Sequence, residues 1–117
     1  MTNAEQLRAG AVEWFEAAKE SHAAGHRYAA FESYRHATEL ACTAILLEHR
    51  GVFPRDHAVA APLAQAGLVP SGVAVRDLQN FLAEFTLGTY GFERQLHEAD
   101  LQKAKRMTRR LIEALRE

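Results

Sequence analysis

The chain has 117 residues, and its 14 lysines and arginines against 15 aspartates and glutamates give a net charge of −1. Hydrophobic residues make up 48% and charged residues 25%, which indicates one soluble globular domain and excludes a disordered chain or a strongly basic one. A single cysteine, Cys42, excludes an intramolecular disulfide, and neither a membrane span nor a signal peptide is evident, so we expect one cytoplasmic domain over residues 1–117.

Two helices are predicted in the first half of the chain. Residues 2–5, Thr-Asn-Ala-Glu, form a capping-box pattern, and the helix that they open continues towards Gly25. The second helix is predicted from about Arg27 to Arg50 and ends at Gly51, because glycine readily adopts the left-handed conformation that ends many helices.

The second helix carries small residues along one stripe and apolar residues along the next. Small side chains at helical spacing let a neighbouring helix approach closely. A helix that is apolar around most of its circumference is usually buried on two sides, so this one is predicted to lie at the centre of the bundle or in a dimer seam. The two stripes are Ala30, Tyr34, Ala37, Ala41 and Ala44, and Phe31, Thr38, Cys42 and Ile45.

Three further helices are predicted in the second half. Asp56 is a candidate cap for a short helix to about Ala66, and Ser71 is a candidate cap for a fourth helix through about Thr86. The fifth starts near residues 97–100 and ends with the chain. Alternating strand patterns are missing, so the predicted fold is all-α: an up-and-down bundle of four long helices and one short helix.

One face of the second helix carries polar side chains at a spacing that suits a metal or acid–base site: Glu32, His36, Glu39 and Thr43. The alternative, which we favour, is a solvated stripe with an ion pair between Arg35 and Glu39. His22 and His26 have the spacing of a chelating pair, but Gly25 ends the helix between them, so we favour fraying helix-end histidines. We expect no metal and no cofactor.

The last helix has a basic face. Such a face is either a phosphate contact or a solvated surface favoured by the helix dipole, and we favour the second. Its cations are Lys103, Lys105, Arg106, Arg109, Arg110 and Arg116.

The stretch FTLGTYGFERQLH, residues 85–97, holds a tyrosine, Tyr90, before Arg94 and His97. Histidine can act as a base towards a 2′-hydroxyl, and arginine can stabilise a developing phosphorane without a metal. Amide groups at the start of the last helix would add anion binding. The alternative is an ordinary polar loop.

The whole pattern resembles the HEPN domain family (higher eukaryotes and prokaryotes nucleotide-binding). The resemblance rests on four segments: AVEWFEAAKESHAAGHRYAAF, YRHATELACTAILLEHRG, RDHAVAAPLAQAGL and GTYGFERQLHEADLQKAKRMTRRLIEAL. Glu39 and His57 stand at matching places in the second and third of these segments.

The resemblance implies an all-α dimer in the cytoplasm, partnered by a small nucleotidyltransferase, or binding nucleotide or RNA, with no membrane. It implies ligand contacts at Tyr90, Arg94, His97, Glu39 and His57. Nuclease members separate their arginine and histidine by more than the two residues that lie between Arg94 and His97 here. We therefore expect a non-catalytic binding module, with a metal-independent endoribonuclease toxin using Arg94 and His97 as the alternative.

Overall fold

The computed structural model describes residues 2–51, 59–90 and 95–115, with the backbone alone over 84–90. This part of the chain is all-helical and contains no strand, so the predicted all-α class is confirmed. Four long helices and one short helix follow one another in the predicted order. They are α1 (Asn3–Ala23), α2 (Arg27–Arg50), α3 (Ala60–Gln65), α4 (Val75–Tyr90) and α5 (Glu98–Ala114).

The predicted capping box at the start of α1 is confirmed. The Thr2 hydroxyl accepts from the Glu5 amide at 3.1 Å, and the Glu5 carboxylate accepts from the Thr2 amide at 2.9 Å. Two otherwise unpaired donors of the first turn are satisfied in this way. A short turn with Gly25 at φ 82° then reverses the chain into α2.

Helix α2 is the central element, and it ends at Gly51 in the left-handed conformation, as predicted. It packs against each of the other four helices. Both predicted stripes are buried, including Cys42 and Thr38 at 0% exposure. The predicted central location of α2 is therefore confirmed within the single chain.

The predicted bounds of α3 and α4 are partly wrong. Helix α3 begins at Ala60 with Val59 at its N-cap, and Asp56 lies outside the described residues. Ser71 belongs to a turn in which the Val73 amide donates to the Pro70 carbonyl at 3.2 Å, so α4 begins at Val75 and not beside Ser71. Helix α4 also continues beyond the predicted end at Thr86 as far as Tyr90.

Helix α5 runs parallel to α2 and antiparallel to α1. Arg27 of α2 donates to the Leu96 carbonyl at 3.0 Å, and about three turns further along both helices the hydroxyls of Thr38 and Thr108 lie 2.8 Å apart. The two helices therefore run side by side in the same direction. Among the described residues, no helix is both long and apolar enough to cross a bilayer.

Candidate functional site

A chain of polar side chains joins α1, α2 and α5. The His22 ring lies with Nδ1 2.9 Å from the Tyr34 hydroxyl and Nε2 2.8 Å from Glu98 Oε1. Gln102, one turn along α5, donates its amide to the same carboxylate oxygen at 2.8 Å. Three helices therefore contribute to one hydrogen-bonded cluster, which we call the histidine cluster.

The charge on Glu98 fixes the direction of the two hydrogen bonds that this carboxylate accepts. The bond from Gln102, and next the bond from His22, lower the pKa of Glu98, so this carboxyl is ionised at neutral pH and only accepts. His22 Nε2 therefore carries the hydrogen, and in the neutral imidazole Nδ1 accepts from the Tyr34 hydroxyl.

The order carboxylate, imidazole, hydroxyl is that of an activated nucleophile. A nucleophile must reach its substrate, however, and Tyr34 is 0% exposed. Burial is also the main cause that raises the pKa of its hydroxyl, which opposes formation of the phenolate. The histidine cluster in this state connects three helices and does not present a reactive oxygen to solvent.

The interpretation of His22 as a fraying helix-end residue is wrong. Its side chain is 12% exposed, and both ring nitrogens are hydrogen-bonded. Its position offered a signal, because His22 follows the buried Phe15 by seven residues and therefore lies on the same side of α1. His26 is exposed at the N-cap of α2.

The polar face of α2 is also not the solvated stripe that we favoured. The predicted ion pair is confirmed, with Arg35 3.2 Å from Glu39, but Arg35 is only 4% exposed and also lies 3.3 Å from Glu32. Thr43 donates back to the Glu39 carbonyl at 2.9 Å. Because two carboxylates surround one guanidinium, burial of this charge is compensated within the helix.

Only part of the predicted ligand set lies within the described residues. Tyr90 is the last residue of α4, where the backbone alone is described, and Arg94 and His57 lie outside the described residues. His97 is exposed, and Glu39 is half-buried beside Arg35. The predicted pairing of Arg94 with His97 therefore stays a prediction.

The start of α5 is occupied by its own carboxylates. His97 is the N-cap, and its amide donates to the Asp100 carboxylate at 2.8 Å. Glu98 adds a second negative charge in the first turn. Negative side chains stabilise a helix N-terminus, and they also repel an incoming anion from it.

Comparison of the chain with protein-family models, with curated proteins and with solved structures finds no match. Within the described part of the chain, no three histidine, cysteine, aspartate or glutamate side chains come together where they could hold a metal ion.

Proposed function

We propose that the chain is a HEPN-like helical module that works as a homodimer by binding and not by catalysis. Its partner is a protein, with a small nucleotidyltransferase as the expected class, or a nucleotide phosphate at the segment between Tyr90 and His97. Support for the fold assignment comes from the order of four long helices and one short helix, with the short one third in the chain.

The observation that carries the non-catalytic proposal is the capping of α5 by Asp100. A metal-free ribonuclease needs positive potential where charge develops on the phosphorane. At this helix start the Asp100 carboxylate already accepts the N-cap amide, and Glu98 stands in the same turn. This arrangement favours a protein partner over a phosphate at the same end of the helix.

One observation favours the alternative, an endoribonuclease that uses Arg94 and His97. The His97 amide donates to the Asp100 carboxylate at 2.8 Å, and the residue is exposed. Its imidazole is therefore accessible to a substrate hydroxyl, and Arg94 lies three residues before it in the sequence.

Cleavage of RNA by the purified chain in EDTA separates the two functions. We expect no cleavage by the wild-type chain, and a dimer when the same sample is measured by analytical ultracentrifugation. The assay includes Arg94→Ala and His97→Ala, with His49→Ala as the matched control, because His49 is an exposed histidine in the last turn of α2.

Cleavage that is lost in the Arg94 and His97 variants and kept in the His49 variant would establish the endoribonuclease and refute the binding module. Cleavage that survives in all three variants indicates either a contaminating nuclease or a site elsewhere in the chain. A further purification column removes the activity in the first case and keeps it in the second, which would also refute the binding module.

A further inference from the structure

We propose that the homodimer forms through the adjacent outer faces of α1 and α5, with the acidic face of α1 against the basic face of α5 of a second copy. This inference rests on the proposed homodimer and adds the surface through which it forms. Two oppositely charged faces that lie side by side on one molecule are self-complementary, as a two-fold interface requires.

The outer face of α1 is acidic. Glu13, Glu16 and Glu20 are exposed, and spacings of three and four residues place them on one side of the helix. Glu16 is paired with Lys19 at 2.9 Å. Among the described residues, Glu13 and Glu20 have no cation within ion-pair distance, so their charges are available to a partner.

The outer face of α5 is basic. Lys105, Arg106 and Arg109 have no carboxylate within ion-pair distance in the described part of the chain, whereas Lys103 is paired with Asp77 at 3.1 Å. Cations three and four residues apart on a helix repel one another. A second molecule that brings carboxylates to this face relieves the repulsion.

The two faces lie side by side and in opposite directions. The Arg109 guanidinium lies 5.9 Å from the centroid of the Phe15 ring, and His22 reaches Glu98 at 2.8 Å, so α1 and α5 are antiparallel neighbours. At a rise of about 1.5 Å per residue, Glu13 lies about 3 Å from the level of Arg109 along the helices. Counted from the contact of Phe15 with Arg109, Glu20 lies about 3 Å from the level of Arg106, and counted from the contact of His22 with Glu98 it lies about 9 Å away, so this second pair is the looser of the two.

The matching positions of these charges along the helices determine which two-fold axis the dimer has. Rotation by a half-turn about an axis parallel to α1 and α5 leaves each residue at the same position along that axis. It places α1 of one copy opposite α5 of the other. Glu13 then faces Arg109 of the second copy, and Glu20 faces its Arg106. The two-fold axis generates each of these pairs a second time. An exposed ion pair raises an association constant by up to about fivefold, so the dimer depends on several pairs together. Because salt screens exposed charges, the dimer weakens as the salt concentration rises.

The proposed interface is tested by reversing the charges of each face in turn and then mixing the two variants. The first variant carries Glu13→Arg and Glu20→Arg, and the second carries Arg106→Glu and Arg109→Glu. Sedimentation velocity in low salt is expected to show a wild-type dimer, two monomeric variants, and a restored dimer when the variants are mixed, because each then meets opposite charge. High salt is expected to dissociate the wild-type dimer.

The control variant carries Glu48→Arg and Arg76→Glu, which reverse exposed charges elsewhere on the described surface and are expected to leave the dimer intact. Circular dichroism checks the fold of every variant. If the substitution at Arg109 disturbs folding through its contact with Phe15, then Lys105→Glu with Arg106→Glu takes its place.

A dimer that persists in both reversal variants would overturn this surface and leave the proposed homodimer standing. Folded variants that stay monomeric when mixed would also overturn it. A wild-type chain that is monomeric in low salt at every concentration would overturn the surface and the proposed homodimer together.

Discussion

At the scale of single residues, Tyr34 contributes stability through one hydroxyl. In Tyr34→Phe the apolar packing remains, but His22 Nδ1 loses the partner at 2.9 Å. We expect a loss of about 1–2 kcal/mol in the free energy of unfolding, because a largely buried nitrogen is left unpaired. Urea titration measures it, and the control is the same substitution in a His22→Ala background, where no ring nitrogen remains to lose its partner. An equal loss in both backgrounds would contradict the structural role of the histidine cluster.

Glu98 makes stability depend on pH. Its pKa in the folded chain is lowered, so its contribution is fully present above the pKa of an unfolded glutamate and is lost as pH falls through the folded value. We expect Glu98→Gln to lose this acid dependence. Urea titrations from about pH 7 to about pH 3 measure the difference, with Glu113→Gln as the exposed control on the same helix. Parallel pH curves for wild type and Glu98→Gln would refute the assignment.

At the scale of helices, two glycines are expected to respond to alanine in opposite directions. Gly51 ends α2 at φ 65°, which alanine tolerates poorly, so Gly51→Ala should destabilise the chain by about 1 kcal/mol. Gly10 lies inside α1, where an added Cβ would stand 3.4 Å from the Leu40 side chain, an ordinary contact. Gly10→Ala should stabilise by up to about 1 kcal/mol. Thermal unfolding of both variants checks the signs, and a shared sign would contradict the argument.

A buried hydroxyl pair joins α2 to α5. The hydroxyls of Thr38 and Thr108 are 2.8 Å apart, and both residues are 0% exposed. Thr108→Val should cost about 1–3 kcal/mol, because the Thr38 hydroxyl is then buried without that partner. The double variant with Thr38→Val should be more stable than Thr108→Val alone, since no orphaned hydroxyl remains. Urea titration of the two singles and the double gives the coupling energy, and additive losses would contradict it.

How far the sequence predicts this structure differs between elements. Helix ends that depend on local chemistry are predicted correctly, as at Thr2 and Gly51, because the cap and the helix are neighbours in the chain. The histidine cluster is missed because His22, Tyr34 and Glu98 meet only after three helices pack. The burial of Arg35 is missed for the same reason, since an ion pair within one helix has the same spacing whether it is covered or exposed.

At the scale of the whole molecule, Cys42 reports on opening of the bundle. It is 0% exposed in the centre of α2, and burial raises the pKa of its thiol far above neutral pH. Because the thiolate is the reactive form, we expect an aromatic disulfide reagent to modify Cys42 only through the unfolded state. The logarithm of the labelling rate should rise with urea concentration as steeply as the free energy of unfolding falls. Thr108→Val should raise the labelling rate about tenfold for each 1.4 kcal/mol of unfolding free energy that it removes. The control is the chain unfolded in urea, in which Cys42 is expected to react immediately. A rate that does not change with urea would mean that a local opening exposes the thiol while the rest of the bundle stays folded.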